Sequence, residues 1–111
     1  MPTLPPEYLK FLQLYDQRKY FEAHEALEVL WRREKNNARD FYRGLIQVAA
    51  ACVHVRNRNL DGAKQLFQSA TLCLQRYFPE FMSIDVGRLL NDLQHSLLAE
   101  TSYPRLYLKR I

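Results

Sequence analysis

Glycine is scarce in this chain, and the residues that break helices lie mostly at its margins. Only three glycines occur in 111 residues, and the five prolines lie near the two ends or at Pro79. Long uninterrupted stretches remain, with almost none of the turn sequences that close β-hairpins. The pattern therefore predicts an all-α protein, and no strand is predicted.

Apolar residues recur at helical spacing in five stretches. Pro6 suits a first helical turn, because the first N–H groups of a helix have no partner within it. Pro79 cannot continue a helix and is expected to end the fourth. The predicted helices span residues 6–17, 20–35, 38–56, 60–77 and 84–99. The candidate caps are Asn37 with Asp40 for the third helix, Asn59 for the fourth, and Ser83 or Asp85 for the fifth.

The third predicted helix is apolar nearly all round at GLIQVAAACV, which is typical of a helix packed on several sides. Short loops favour antiparallel neighbours, and a hydrophobic content of 48% is enough for a core. We expect one domain over 1–111, a compact bundle of about five helices in antiparallel hairpins, with its core at 6–99. The tail 100–111 is expected to pack on the body through its apolar residues Leu106, Tyr107, Leu108 and Ile111.

The net charge of +4 is compatible with an anionic partner but does not require one. Basic residues gather at 32–43 and again at Arg56 and Arg58, opposite ends of the third helix, which does not favour one continuous nucleic-acid surface. Cys52 and Cys73 lie in apolar helical stretches and are predicted to be buried, reduced thiols. No signal peptide or membrane-spanning run is visible, so we expect a cytoplasmic protein without a membrane partner; self-association stays open.

The segment FEAHEALEVLW, residues 21–31, mixes polar and apolar side chains along one predicted helix. At about 100° per residue, His24, Glu28 and Trp31 fall within about 60° of one another. Glu25 is rotated by about 100° from His24, and its role is open. One helix therefore carries a narrow stripe in which titratable groups lie beside an aromatic ring.

A matching stripe on the third predicted helix contains Arg43, Gln47 and His54, within about 60° of one another. Folding the two helices antiparallel about residues 36–37 predicts three juxtapositions: Trp31 near Arg43, Glu28 near Gln47, and His24 near residues 50–54. A buried Glu28 would need such partners, because a lone buried carboxylate costs several kcal/mol. We call this set the polar seam: His24, Glu25, Glu28, Trp31, Arg43, Gln47 and His54.

The polar seam has several interpretations. It can line a ligand or catalytic pocket between the second and third helices, with His24 or His54 as general base and Glu28 orienting it. It can instead be a purely structural network that sets helix register in a protein-interaction module, or a surface stripe. Weak nucleic-acid binding is a further alternative. Whether the chain is an enzyme is left open, and no catalytic residue is assigned.

A divalent metal is one candidate cofactor of the seam. HEALE shares its first two residues with the zinc-protease motif HExxH, but Glu28 stands where that motif has its second histidine. With His54 as a third ligand, His24 and Glu28 would suit zinc, manganese or iron. The remaining histidine, His95, lies among polar residues and is predicted to be a surface group.

Three motifs in order, YFEAHEALEVLW, GLIQVAAACVH and NLDGAKQL, resemble the domain of unknown function 309 family. The resemblance covers about residues 19–77, and IDVGRLL weakly extends it. It implies a compact all-α fold and no established activity. The family motif positions here are His24, Glu25, Glu28, Trp31, Gly44, Gln47, His54, Asn59, Gly62 and Ala63.

The chain departs from this family pattern at two loop positions. Arg58 and Ser83 stand where family members tend to have glycine. Asn57 is therefore expected to take the left-handed turn conformation in place of the missing glycine. Gly44 is expected to allow close approach of the second and third helices.

Overall fold

A computed structural model describes residues 4–99 and 103–108, which contain five α-helices. The expected all-α architecture is confirmed, and the predicted helix ends differ from the observed ones by at most three residues. The helices are α1 Pro6–Asp16, α2 Tyr20–Arg33, α3 Arg39–Arg56, α4 Leu60–Leu74 and α5 Val86–Ala99.

The segment between α4 and α5 differs from the prediction. After α4, the 3₁₀ turn Gln75–Tyr77 leads to a cis peptide before Pro79, and then two short strands, β1 Glu80–Phe81 and β2 Ile84–Asp85, pair antiparallel. The two residues between the strands, Met82 and Ser83, have φ of 47° and 67°. The absence of strands was a wrong prediction here, because Met-Ser lacks the Asn-Gly type of signal that marks a two-residue hairpin turn.

Two of the predicted helix caps are present. Asn59 Oδ1 accepts a hydrogen bond from the Gly62 amide at 3.1 Å, at the start of α4. Asp85 Oδ1 accepts one from the Arg88 amide at 3.0 Å, so Asp85 rather than Ser83 caps α5. Each side chain satisfies an N–H group that has no partner within the helix.

The cap predicted for α3 is wrong. Ala38 precedes this helix and makes no side-chain cap hydrogen bond. The Asp40 carboxylate instead pairs with the Arg76 guanidinium at 2.6 Å, and the Asn37 carbonyl accepts from the Tyr77 hydroxyl at 2.6 Å. Both groups are thus bonded to residues of the 3₁₀ turn that follows α4, which the local sequence around α3 does not reveal.

Arg18 in the α1–α2 turn and Arg58 in the α3–α4 turn both adopt the left-handed backbone conformation. Arg58 has φ of 61°, whereas Asn57 has φ of −90°, so the expected left-handed Asn57 is wrong. Arg18, which follows α1, has φ of 63°. Each arginine is the first residue after the helix cap, and the amides of Lys19 and Asn59 then donate across the turns at 2.9 and 2.8 Å. This is the Schellman arrangement, in which glycine is the usual residue at the left-handed position.

The central role predicted for α3 is confirmed, since it packs against α2 on one side and α4 on the other. Its buried residues are Phe41, Tyr42, Gly44, Leu45, Val48, Ala49, Ala51, Cys52 and Val55. Gly44 lies against Leu74 and Cys73 of α4, so it serves close approach of α3 and α4 and not of α2 and α3 as predicted. Cys52 and Cys73 are both free thiols, but only Cys52 is fully buried.

Residues 103–108 lie along the helices. The Tyr15 hydroxyl donates to the Pro104 carbonyl at 2.6 Å, and Leu106 is buried. The Tyr107 hydroxyl donates to Asp92 Oδ1 at 2.9 Å. These contacts attach the segment to α1 and α5.

The remaining apolar tail residues have different positions. Leu108 forms an isolated β-bridge with Ile84 and stays 55% exposed. Ile111, which was expected to pack on the body, lies outside the described residues. Across 4–99 and 103–108, no helix is both long enough and apolar enough to cross a membrane.

Candidate functional site

Three side chains of α2, spaced four residues apart, pair with one another in a ladder: His24, Glu28 and Arg32. His24 Nε2 lies 3.1 Å from Glu28 Oε2, and each side chain is 26% exposed. The other oxygen of Glu28 accepts a hydrogen bond from Arg32. Because residues four apart share one helix face, the charge of Glu28 is balanced within α2 itself.

The α3 members of the polar seam bond toward α4. Gln47 Oε1 accepts a hydrogen bond from the Cys73 thiol, with the oxygen and sulfur 3.8 Å apart. His54 Nδ1 lies 3.1 Å from Asn59 Nδ2, at the start of α4. The hydrogen bonds predicted between Glu28 and Gln47 are therefore replaced by contacts within α2 and between α3 and α4.

Trp31 meets α3 one turn away from its predicted partner. The Arg39 guanidinium lies 4.4 Å from the centre of the Trp31 ring, and its Nη1 donates to the Trp31 carbonyl at 3.3 Å. Arg43, the predicted neighbour, is exposed. Since positions 39 and 43 lie on one helix face, the stripe was identified but its register was one turn out.

The structure does not group the three side chains that were candidate metal ligands, His24, Glu28 and His54. Within the described part of the chain, no three histidine, cysteine, aspartate or glutamate side chains are grouped so that they could hold a metal ion. His24 and Glu28 are adjacent, but His54 is hydrogen-bonded to Asn59. A histidine and a carboxylate alone do not supply the three protein ligands that a typical zinc site needs.

Two side-chain ring nitrogens of α2 have no hydrogen-bond partner among the described residues. They are His24 Nδ1 and Trp31 Nε1, and both atoms are buried. A neutral imidazole that donates from Nε2 to Glu28 leaves Nδ1 as an acceptor, whereas the indole N–H is a donor. His24 can therefore accept one further hydrogen bond, and Trp31 can donate one.

The exposed face of α2 combines negative charge with apolar surface. Phe21 is 54% exposed and Val29 is 49% exposed. Glu22 and Glu25 are exposed and form no ion pair with any residue in the described ranges. We call the set Phe21, Glu22, Glu25, Glu28 and Val29 the acidic face of α2. Residues 20–31 contain three glutamates and no lysine or arginine, in a chain whose net charge is +4.

A second group of side chains gathers where the α1–α2 and α3–α4 turns meet. The Tyr20 ring is stacked on Tyr103, with centres 5.4 Å apart and planes 11° apart. The Arg56 guanidinium lies 4.9 Å from the Tyr20 ring centre and donates to the Arg18 carbonyl at 2.8 Å. Burial, with a smaller contribution from Cys52, raises the pKa of Tyr20 to about 12.

Two clefts open on either side of Tyr103. The larger, about 630 Å³, includes Arg18 and Arg105 in its lining. The smaller, about 370 Å³, includes Arg56 and Arg58. The sequence shows Arg56 and Arg58 as a basic cluster but does not connect them with Arg18, Arg105 or Tyr103, because only the fold brings these distant segments together. We call this group the arginine–tyrosine end: Arg18, Tyr20, Arg56, Arg58, Tyr103 and Arg105.

The buried thiol of Cys52 is a poor nucleophile at neutral pH. Its sulfur lies 3.5 Å from the Tyr15 hydroxyl oxygen, and burial raises its pKa to about 12. The thiolate, which is the reactive form, is therefore scarce at neutral pH. Cys52 belongs to the core and not to a reactive site.

The fold and these surfaces define a small all-helical protein built on two antiparallel helical hairpins. Residues 8–66, just over half of the chain, match the family model described as Domain of unknown function (DUF309). The chain belongs to this family, as its three sequence motifs predicted.

The chain is also similar to a curated bacterial protein, the Uncharacterized protein YpuF of Bacillus subtilis (strain 168). The two are 36% identical over an alignment of 94 residues, and the match covers 81% of this chain and 54% of the relative. The chain thus spans about half the length of this curated relative. No solved structure matches the chain significantly.

Proposed function

We propose that this protein is a protein-interaction module that binds a basic amphipathic segment of a partner through the acidic face of α2. The observation that carries the proposal is the charge of this face. Three glutamates lie within 20–31 without a lysine or arginine, although basic residues outnumber acidic ones by 16 to 12 in the whole chain. Complementary potentials of this kind guide and orient protein association.

The charge available to a partner comes mainly from two carboxylates. Glu28 already pairs with His24 and Arg32, whereas Glu22 and Glu25 form no ion pair with any described residue. Lysine or arginine side chains of a partner can therefore approach Glu22 and Glu25 without displacing an internal partner. The pairs that Glu28 forms with His24 and Arg32 hold its carboxylate in place on the same face.

Apolar surface beside these carboxylates supplies the second element of recognition. Phe21 and Val29 remain about half exposed on α2, and the Phe21 ring centre lies 5.9 Å from that of His24. A partner with apolar residues at helical spacing would cover both side chains, and each square ångström of apolar area removed from water contributes about 25 cal/mol. This composition favours an amphipathic segment over a merely cationic one.

The other interpretations of the polar seam receive less support. A ligand pocket between α2 and α3 requires Gln47 and His54 to meet His24 and Glu28, but both are hydrogen-bonded toward α4. In the proposed module, the inner seam residues serve packing and register. The outer carboxylates serve recognition.

The test is a titration of the isotope-labelled protein with a synthetic helical peptide of about 14 residues that carries leucine on one face and lysine on the other. We expect saturable chemical-shift changes at α2. Glu22→Gln combined with Glu25→Gln should weaken binding at least about tenfold, as expected for the loss of two charge-assisted contacts. Phe21→Ala should weaken it independently.

The matched control is Asp61→Asn, which removes one carboxylate from an exposed position on α4. It should leave the dissociation constant within about twofold, whereas Glu25→Gln alone should raise it severalfold. Equal losses in the two variants would reduce the binding to general electrostatics and refute the assignment to α2. Equal binding of a peptide with glutamate in place of lysine would refute it as well.

A further inference from the structure

We propose that the arginine–tyrosine end binds a small phosphorylated aromatic molecule of mononucleotide size. In this site the arginines hold the phosphate, and Tyr103 presents its ring to the planar base. The proposal concerns a different surface from the acidic face of α2 and does not depend on it.

Within residues 4–99 and 103–108, no carboxylate neutralises the arginines of this end. Arg18, Arg58 and Arg105 have exposed side chains that form no ion pair with a carboxylate in the described ranges. Arg56 donates to a backbone carbonyl, and no carboxylate in the described part of the chain pairs with its charge. The planar guanidinium matches the geometry of phosphate oxygens and binds them through paired hydrogen bonds.

The backbone positions of two of these arginines are informative. Arg18 and Arg58 both occupy left-handed positions, with φ of 63° and 61°, where glycine is the favoured residue. A side chain in this conformation is disfavoured relative to glycine, because its Cβ atom comes too close to the following carbonyl oxygen. The chain therefore places a guanidinium at each turn against a conformational cost, and the two turns lie side by side, joined by the hydrogen bond from Arg56.

Tyr103 supplies a surface for a planar group. It is stacked on Tyr20 and remains 37% exposed, and it borders both clefts. Stacking on aromatic side chains is a common way in which proteins bind bases, because every base has a flat π-face. A ring beside Tyr103 would lie between the arginines of the two clefts.

The larger cleft has the size and the polar groups for such a ligand. Its volume of about 630 Å³ falls within the range of roughly 300–1,000 Å³ that is typical of small-molecule sites. Asp16 also lines it and can accept hydrogen bonds from an exocyclic amino group of a base. The Arg105 amide donates to Asp92 Oδ2 at 3.0 Å, which holds the wall of the cleft against α5.

The experiment is calorimetric and NMR titration of the full chain with AMP, adenosine, inorganic phosphate and a single-stranded hexaribonucleotide. We expect AMP to bind saturably and at least about tenfold more tightly than adenosine or phosphate alone, because it engages both the arginines and the ring. Binding should weaken as the salt concentration rises.

Two variants separate ligand binding from folding. Arg18→Gly and Arg58→Gly place the favoured residue in each left-handed position, so the unfolding midpoint should be unchanged or raised, while AMP affinity falls at least about tenfold. Tyr103→Ala should weaken AMP binding and leave phosphate binding unchanged. Arg43→Gln is the control, because Arg43 lies 13 residues, or about 20 Å of helix, before Arg56 on α3.

Four results would overturn the proposal. They are phosphate binding as tight as AMP binding, saturation by the hexaribonucleotide but not by AMP, an equal loss of affinity in Arg43→Gln, and no saturable binding at all. Glu22→Gln with Glu25→Gln should leave AMP affinity unchanged, so failure of this site and failure of the α2 interaction are distinguishable.

Discussion

Gly44 of α3 and Leu74 of α4 lie so close that a Cβ atom built on Gly44 would come within 2.7 Å of Leu74 Cγ and 2.8 Å of its Cδ2. Gly44 is thus the point at which the two helices approach without an intervening side chain. Leu74 is fully buried and has little room to move.

Gly44→Ala should therefore destabilise the protein by about 1–3 kcal/mol, the usual cost of overpacking a core. Gly87→Ala is the matched control. Its Cβ would lie 3.1 Å from Cε2 of Phe78, a ring that is 65% exposed and free to give way. Urea unfolding should give a clearly lower midpoint for Gly44→Ala than for Gly87→Ala. Similar midpoints would show that the contact of Gly44 with Leu74 does not limit stability.

Asn59→Ala should destabilise the protein by about 1 kcal/mol, because the Gly62 amide loses its acceptor at the start of α4. The change also removes the side chain beside His54 Nδ1. Asn59→Ser keeps a capping oxygen and should recover most of the loss. Thermal unfolding measures both variants, and an equal loss in Ala and Ser would indicate that the cap contributes little.

The His24–Glu28 pair should contribute little to stability, although it lies at the centre of the predicted seam. Both side chains are 26% exposed and belong to one helix, where pairs four residues apart are worth about 0.3–0.5 kcal/mol. A double-mutant cycle of His24→Gln and Glu28→Gln, followed by urea unfolding, should give a coupling free energy below about 1 kcal/mol. A coupling of several kcal/mol would point to a buried network instead.

Stability should fall as the pH rises above about 9. Burial raises the pKa of Cys52 from its ordinary 9.0 to about 12 and that of Tyr20 from 10.0 to about 12, and it also raises the pKa of Tyr15. In this range the unfolded chain has released protons that the native protein keeps, so the free energy of unfolding decreases by about 1.4 kcal/mol per pH unit for each such group.

Urea unfolding between pH 8 and 11 tests this dependence. Cys52→Ala should reduce the component that begins near pH 9, to which the raised pKa of Cys73 also contributes, and leave the tyrosine component that begins near pH 10. Midpoints that stay constant up to pH 11 would contradict the prediction, as would an unchanged pH dependence in the Cys52→Ala variant.

Local sequence was sufficient for the helices and for part of their chemistry. Apolar periodicity and the positions of proline depend only on neighbouring residues, so all five helices and the central character of α3 could be predicted. The Asn59 cap is local in the same sense, because its side chain bonds an amide three residues away. The β1–β2 turn was missed, since Met82 and Ser83 give no turn signal and their positive φ depends on the surrounding fold.

The candidate sites required the tertiary structure. Periodicity identified a stripe on α2 and one on α3, but the rotation and register of α3 depend on contacts such as Gly44 with Leu74, 30 residues apart. Arg39 therefore meets Trp31 in place of Arg43, and Gln47 bonds toward α4.

The sequence by itself determined a five-helix, all-α member of its family and the stripe of His24, Glu28 and Trp31 on α2, because helical periodicity and capping act over a few residues. Only the tertiary structure decided which faces meet and which arginines gather around Tyr103. Arg18, Arg58 and Tyr103 come from two turns and the C-terminal segment. Their juxtaposition follows from packing summed over the whole core, and no short stretch of sequence contains that information.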